Sequence, residues 1–264
     1  MAGKYPVVTV TAEAAKKINL PCIFEDGGYA VIGDDKVHVI FDAGPLGYTS
    51  IAAHGHADAL SICLALDGEW WLVDPGTYTY HDNPEWRNYF RSTAAHNTAV
   101  VDDTDQSKIG GDFLWLDHAN AKFLCHGVND ERHWVKGAHD GYSKVGVMHE
   151  RTVEYSQSKR CLKVTDKLTG DGEHILRWHW HLHPDIYSEW DQGSKSWKLI
   201  HRKNGKIIKV STGSNIDSEM VKGATNPILG WYSSVLGSKT TSEVLVYRFN
   251  GKLPYELTFS FVVE

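Results

Sequence analysis

Tight-turn dipeptides divide this sequence into short segments rich in Val, Ile, Leu, Trp and Tyr. Asp-Gly and Asn-Gly pairs suit two-residue hairpin turns, because these turns need positive φ at both central residues. Such pairs occur at Asp26-Gly27, Asp67-Gly68, Asp171-Gly172, Asn204-Gly205 and Asn250-Gly251. The spacing predicts a series of antiparallel strands joined by hairpins.

The predicted strands cover most of the chain. They span 29–33, 36–42, 60–66, 70–74, 97–102, 121–127, 147–155, 162–168, 175–183, 197–202, 206–212, 243–249 and 256–264. Segment 175–183 alternates most clearly, with Leu and Trp on one face and Arg177, His179, His181 and His183 on the other. That alternation predicts a half-buried strand whose second face lies in solvent or lines a cleft.

These features predict an all-β fold, a large antiparallel β-sandwich of two or more sheets with little helix. Only 11–19 and 84–90 have the composition of short helices. The chain has 264 residues, 42% of them hydrophobic, which is enough for one large core. Because no linker-like tract interrupts it, we expect one domain over 22–264, preceded by a tail or linker remnant at 1–21.

Composition argues against several classes of protein. The 27 Lys and Arg residues are outnumbered by 33 Asp and Glu residues, a net charge of −6 that does not favour a nucleic-acid partner. No apolar run reaches the ~18 residues of a membrane-spanning helix, and no signal peptide is visible. The four cysteines lack CxxC spacing, which excludes a Cys-based zinc knuckle and leaves reduced thiols or one or two disulfides.

Three potential metal ligands lie at predicted strand ends: His56, Asp74 and His96. A hairpin turning at Asp67-Gly68 would bring the residues just after His56 close to Asp74 by simple pairing. Two neutral imidazoles and one carboxylate suit an open zinc site, and they equally suit an iron facial triad. Spacing alone does not choose between these metals, and many β proteins place His and Asp at strand ends without any metal.

Two neighbours of His56 extend this candidate site. His54 lies two residues away, so in an extended segment both rings point the same way and one is free to face a ligand. The alternative is an ordinary loop histidine. Asp58 is placed to orient either ring through a hydrogen bond.

The residues around these positions resemble a known family. HGHADALSICLALDGEWWLVDPGTYTY, followed by WRNYFRSTAAHNTAVVDDTDQS, closely resembles the heparinase II/III-like polysaccharide lyases, and in particular their C-terminal β-sandwich domain. The HGHAD, DPGTYTY and RSTAAHNT blocks come in family order within 48–106, and the lead-in FEDGGYAVI at 24–32 also fits. Beyond residue 120 only the general β pattern is shared.

The resemblance implies an activity and a ligand set. Family members cleave uronic-acid-containing polysaccharides, such as heparan sulfate or alginate, by β-elimination. By motif, His56, Asp74 and His96 would bind zinc. His54 would face the substrate and help to neutralise its carboxylate or move the proton. Either Tyr78 or Tyr80 would line the same cleft, and on a shared strand face the two are equivalent.

The family's enzymes also carry an N-terminal α/α toroid that supplies an Asn, a His and the catalytic Tyr. This chain has about twenty residues before the predicted sandwich. We therefore expect a C-terminal module that folds and binds zinc but is nearly inactive without the toroid. By the same resemblance, the full-length protein is expected in the periplasm or outside the cell, with an acidic polysaccharide as its partner.

Other interpretations remain. Arg87 and Arg91 flank the third block and suit either bidentate binding of a uronate carboxylate or sulfate, or a structural salt bridge. A non-catalytic carbohydrate-binding β-sandwich with a structural zinc is the main alternative function. An iron oxygenase is suggested by His56-Ala57-Asp58, but that interpretation leaves the DPGTYTY and RSTAAHNT blocks unexplained.

Overall fold

The structure is a computed structural model and describes residues 20–48 and 50–264. Its strands, in chain order, are β1 (Cys22–Phe24), β2 (Tyr29–Gly33), β3 (Val37–Asp42), β4 (Ile62–Leu66), β5 (Glu69–Leu72), β6 (Ala99–Val101), β7 (Lys108–Gly111), β8 (Leu114–Asp117), β9 (Ala121–Val128), β10 (Arg132–His139), β11 (Met148–Ser156), β12 (Cys161–Thr169), β13 (Glu173–His181), β14 (Ile186–Asp191), β15 (Ser196–His201), β16 (Ile207–Thr212), β17 (Asp217–Lys222), β18 (Ala224–Thr225), β19 (Ile228–Leu229), β20 (Trp231–Val235), β21 (Ser238–Thr241), β22 (Glu243–Lys252) and β23 (Tyr255–Val263). One α-helix, α1 (Pro84–Phe90), and two 3₁₀ turns, Thr93–Ala95 and Ser143–Val145, complete the described elements.

Two layers of antiparallel sheet face each other. One layer is an eight-stranded sheet in the order β14-β15-β16-β23-β12-β11-β10-β9. The other contains a five-stranded sheet, β1-β2-β3-β4-β5, and a four-stranded sheet, β17-β22-β13-β6, which a bridge between Leu72 and Leu182 links. Trp180 of β13 packs edge-on against Phe259 and Phe261 of β23, with ring centroids 4.9 and 5.1 Å apart, so the layers share one apolar core.

The predicted all-β sandwich is confirmed. Strand β11 alternates buried and partly exposed residues along nearly its whole length, as a strand with one core-facing side must. It pairs with β12 over nine consecutive residue pairs, from Met148 to Ser156. Three further two-stranded hairpins, β7–β8, β18–β19 and β20–β21, lie outside the main sheets.

Several predicted turns occur as expected. Asp67 and Gly68 have φ of 52° and 80°, and they join β4 to β5, which pair antiparallel. Asn204-Gly205 lies between the paired strands β15 and β16. These hairpins matter for the site, because the first of them holds the segment after residue 60 against the segment before residue 74.

Two predicted hairpin turns are wrong. Asp171-Gly172 connects β12 to β13, which belong to opposite layers, so the chain crosses the sandwich there. Asn250-Gly251 lies within β22, where Asn250 pairs with Ile175. The chain reverses after β22 at Leu253-Pro254, because proline cannot continue the ladder of hydrogen bonds.

The polar face predicted for segment 175–183 is also wrong in part. His179 and His181 of β13 are 4% and 1% exposed. The segment that carries His96 covers this face: the His181 Nε2–H donates to the Ala94 carbonyl at 2.9 Å, and the His179 amide donates to the Thr98 carbonyl. The histidine face of β13 is therefore buried by a segment that is distant in the sequence.

Strand β10 was not predicted, since 132–139 mixes charges with a glycine. Gly137 explains the pattern. A Cβ at this position would lie 2.8 Å from the Leu60 side chain and 3.1 Å from the Phe41 ring. Glycine therefore allows the two layers to approach closely here.

The remaining predictions concern termini and cysteines. The helix expected at 11–19 and nearly all of the expected tail lie outside the described residues. The helix at 84–90 is confirmed as α1, which Asn83 caps by accepting from the Trp86 amide at 3.3 Å. The four cysteines are all free. Within 20–48 and 50–264, no helix has the length and apolarity needed to cross a bilayer.

Candidate metal centre

The three predicted ligands meet at one end of the five-stranded sheet. His56 lies in the loop before β4, Asp74 follows β5, and His96 follows the 3₁₀ turn Thr93–Ala95. A fourth residue joins them: ligand atoms of His56, Asp58, Asp74 and His96 all lie within 4.8 Å of one another. The hairpin at Asp67-Gly68 brings two of these segments together, as the sequence predicted.

The spacing of these atoms suits a small divalent ion. His56 Nδ1 lies 3.1 Å from His96 Nε2, and His96 Nε2 lies 3.2 Å from Asp74 Oδ2. Tetrahedral zinc, with bonds of about 2.0–2.1 Å to nitrogen, places its ligand atoms about 3.3 Å apart. The donor set is thus compatible with zinc in both chemistry and spacing.

Surrounding hydrogen bonds orient the ligands. His96 Nδ1 lies 2.7 Å from the Ser92 carbonyl oxygen, so this nitrogen carries a proton and Nε2 is the ring atom that faces the cluster. Asp74 Oδ1 accepts from the Gly76 amide at 2.7 Å, which leaves Oδ2 toward His96. Such outer contacts fix ring tautomer and carboxylate direction, as metal sites require.

Asn97 ties the strands that carry the ligands. Its side-chain nitrogen donates to the carbonyls of Ile62 on β4 and Val73 after β5, at 2.8 and 2.9 Å. Its side-chain oxygen accepts from the His181 amide of β13 at 2.6 Å. The residue next to His96 thus joins three strands.

The electrostatics of the cluster favour one extra positive charge. Burial alone would lower the pKa of His96, but the hydrogen bond and charge of Asp74 outweigh it and raise that pKa to about 9. Burial and then the nearby His96 lower the pKa of His56 to about 3. Burial and the charge of Asp42 raise the pKa of Asp58 to about 8. A divalent cation would replace the proton that His96 and Asp74 share.

His54 lies in an aromatic group rather than in the metal cluster. Its ring is edge-on to Tyr80, with centroids 5.3 Å apart, and to Phe113 at 5.8 Å. Tyr80 and Phe113 are stacked at 5.8 Å. Because His54 is exposed, its imidazole is available to a ligand in solution.

Tyr78 is separated from this group. It adopts φ of 62° and lies in a non-strand segment, so Tyr78 and Tyr80 do not share a strand face as expected. Its hydroxyl lies 2.9 Å from Lys239 Nζ, which also lies 4.1 Å from the ring centroids of Tyr78 and Trp86. Of the two candidate tyrosines, the structure brings only Tyr80 beside His54.

Arg87 and Arg91 are buried side by side, with 1% and 0% exposure. Both donate to the Asp112 backbone carbonyl, and the Arg87 guanidinium lies 4.9 Å from the centroid of the Tyr80 ring. Among the described residues neither forms an ion pair with a carboxylate, so the structural salt bridge that the sequence left open is not found. Burial, together with the charge of Arg87, lowers the pKa of Arg91 to about 10.

Sequence reasoning missed part of the site. In the lyase interpretation it assigned Asp58 an orienting role, and it considered His56-Ala57-Asp58 as a ligand pair only for an iron oxygenase, although Asp58 lies within the same cluster. It did not identify Phe113, because one aromatic residue in a Gly-rich turn has no distinctive pattern. It also missed Arg151, which donates to the Leu60 and Asn97 carbonyls from the opposite layer.

The fold is therefore an antiparallel β-sandwich with a candidate metal centre, where two imidazoles and a carboxylate converge at its strand ends. The family model described as "Heparinase II/III-like, C-terminal" matches residues 22–260, and the chain belongs to this family. A comparison with curated proteins found no match.

Solved structures share the fold. A heparan sulfate lyase from Pedobacter heparinus is 17% identical, with a TM-score of 0.74, over 90% of this chain and 35% of that chain. A heparinase III is 17% identical, with a TM-score of 0.73, over 91% of this chain and 36% of that chain. A second heparinase III gene product is 15% identical, with a TM-score of 0.72, over 92% of this chain and 35% of that chain. This chain therefore spans about a third of their length.

Proposed function

We propose that this chain is the metal-binding module of a lyase that cleaves uronic-acid-containing polysaccharide by β-elimination. The observation that carries the proposal is the convergence of His56, Asp74 and His96 from the three family blocks, with His54 exposed on the same HGHAD segment. Membership of the heparinase II/III-like family supports the reaction class.

The reaction needs a neutralised carboxylate. The C5 proton of a uronate becomes acidic only when positive charge or hydrogen-bond donors face the neighbouring carboxylate. His54 is an exposed group placed to donate to it or to move the proton. Arg87 and Arg91 add positive charge without a carboxylate partner among the described residues, and the Arg87 guanidinium lies next to Tyr80. Zinc, when bound, adds positive charge and holds the His54 segment in place.

We further propose that the module alone is nearly inactive. The similar lyase structures are about three times as long as this chain. A helical toroid of the kind that the family resemblance implies would supply the other acid and base groups. Under this proposal, the chain contributes His54 and its aromatic neighbours to an active site shared between two domains.

A chimaera tests this function. We expect the chain alone to give almost no unsaturated product from heparan sulfate or alginate, measured by ultraviolet absorbance. Joined to the helical portion of a heparan sulfate lyase, it should release product, and His54→Ala should reduce the rate by roughly 100-fold or more, as loss of an acid–base group does. His126→Ala, at an exposed strand position, is the matched control.

Two results would contradict the proposal. Rapid turnover by the isolated chain would show that no second domain is needed. A chimaera that is folded and metal-loaded, yet binds these polymers without cleaving them, would favour the non-catalytic carbohydrate-binding alternative.

The metal site is tested by composition and affinity. We expect one zinc ion per chain by elemental analysis. Asp74→Asn should weaken zinc binding by more than the 10–100-fold typical of outer-contact mutations, since it removes a ligand. Asp58→Asn should weaken zinc binding by a similar factor if Asp58 also binds the ion. His183→Ala should leave affinity unchanged. Iron in place of zinc, or no loss in Asp74→Asn, would overturn the assignment.

A further inference from the structure

A cleft lies at the edge of the sandwich where β14 and β17 are the outer strands. It has a volume of about 260 Å³ and is bordered by the β14–β15 turn, the segment after β16, and Tyr247 of β22. These elements lie at or near the β14 edge of the eight-stranded sheet and the β17 edge of the four-stranded sheet. None of its lining residues belongs to the cluster of His56, Asp58, Asp74 and His96.

An exposed tryptophan borders this cleft. Trp190 is 39% exposed at the end of β14 and lines the cleft. It pairs across the ladder with Trp197, whose ring lies edge-on at 5.4 Å. The Trp197 indole N–H donates to Ser218 Oγ of the other sheet at 3.0 Å. Trp190 is thus held by packed neighbours while a flat apolar surface stays open to solvent.

Polar groups without partners also line the cleft. The Tyr247 hydroxyl forms no hydrogen bond to the described residues and is not sealed from solvent, although the residue is only 3% exposed. Lys195 has no carboxylate partner within the described part of the chain, and no lining residue is acidic. Asp191 nearby is already paired with Lys198 at 3.0 Å.

We propose that this cleft binds one acidic sugar residue of a polysaccharide chain, with Trp190 stacking on the ring, Lys195 facing its carboxylate or sulfate, and the Tyr247 hydroxyl bonding a sugar hydroxyl. Apolar ring faces beside a few placed polar groups are typical of small-ligand sites. The volume lies below the roughly 300–1,000 Å³ of drug-sized pockets, which fits a single residue. This second site would hold the polymer away from the metal cluster.

Site-resolved fluorine NMR tests the proposal. The full chain is labelled with 5-fluorotryptophan, and the Trp190 resonance is assigned from Trp190→Phe. A heparan sulfate hexasaccharide should shift this resonance saturably, while cellohexaose, a neutral probe, should not. Trp70, 42% exposed on β5, is the internal control whose resonance should stay in place. This readout separates the cleft from ligand binding near His54.

Variants test each contact. Lys195→Gln should raise the hexasaccharide concentration that gives half of the Trp190 shift roughly fivefold, as loss of one exposed charge contact does. Tyr247→Phe should weaken binding severalfold and keep the fold, because the ring still packs against Phe259. An unshifted Trp190 resonance, an equal shift with cellohexaose, or an unchanged midpoint in Lys195→Gln would overturn the proposal. None of these outcomes depends on lyase activity.

Discussion

Arg151→Met is expected to lower the free energy of unfolding by about 3–5 kcal/mol, because it leaves a buried carboxylate without its cation. Arg151 and Asp166 are both fully buried between the layers. The Arg151 guanidinium donates twice to Asp166, at 2.7 and 2.8 Å. The same carboxylate also accepts from the His149 Nε2–H at 2.5 Å.

The same guanidinium links the sheets. Arg151 Nη1 donates to the Leu60 carbonyl at 2.7 Å and to the Asn97 carbonyl at 2.5 Å. These carbonyls lie two residues after Asp58 and one residue after His96. We therefore expect Arg151→Met to weaken zinc binding as well, by roughly the 10–100-fold seen when outer contacts of a metal site are lost.

Equilibrium unfolding in urea, followed by circular dichroism, measures the stability change. Arg248→Met is the matched control, since Arg248 on β22 pairs with Glu219 on β17 and both side chains are nearly half exposed. That variant should lose less than about 1 kcal/mol. Equal losses in the two variants would contradict the assignment of Arg151 as a buried cross-layer anchor.

The residues of the candidate metal cluster could be predicted because they lie close to one hairpin turn or within recognisable sequence motifs. One hairpin turn at Asp67-Gly68 sets the approach of the segments around His56 and Asp74. The third ligand, His96, has no such geometric signal, and only its motif placed it. Most strands could also be predicted, because alternation of apolar and polar residues indicates a strand with one buried face.

The features that the sequence did not predict depend on contacts between residues that are far apart in the chain, or on local backbone conformation. Arg151 is 91 residues from Leu60 and 54 from Asn97, and no local pattern reports such a bond. Tyr78 leaves the strand face because its backbone turns to positive φ, a conformation uncommon outside glycine. His179 alternates like a surface residue, and only the segment folded over β13 buries it.

Buried neutral histidines should make the chain sensitive to acid. His139 and His179 are 1% and 4% exposed. Burial, followed by the charges of His149 and Arg151, lowers the pKa of His139 well below its usual value. Burial, followed by the charge of Arg177, lowers the pKa of His179 to about 3. In the unfolded chain both return to about 6.5.

The hydrogen bonds of His139 explain why it resists a proton. Its Nδ1 accepts from the Gly141 amide at 3.1 Å, so Nε2 carries the hydrogen and donates to His149 Nδ1 at 3.0 Å. His149 then donates to Asp166. A second proton on His139 would face the Gly141 N–H, with no acceptor. The folded chain therefore keeps this imidazole neutral.

Because the folded pKa of each histidine is lower than the unfolded one, the unfolded state binds more protons below pH 6.5, and stability falls as pH falls. Each histidine costs up to about 1.4 kcal/mol per pH unit, so these two should contribute a loss of about 2–3 kcal/mol between pH 7 and pH 5.5. Urea midpoints across this range, measured with a chelator so that metal release does not contribute, report the change.

Substitutions assign the loss to particular rings. His179→Gln removes one titrating group, so the fall in stability between pH 7 and pH 5.5 should shrink by about 1 kcal/mol, whatever the variant's stability at pH 7. His126→Gln, at a side chain that is 38% exposed, should leave the slope unchanged. Carboxylates do not cause a loss in this window, because their unfolded pKa values lie near 4 and Asp58, whose folded pKa burial raises to about 8, stabilises the folded chain as pH falls. An unchanged slope in His179→Gln would mean that this imidazole is reached by water and protonates without unfolding.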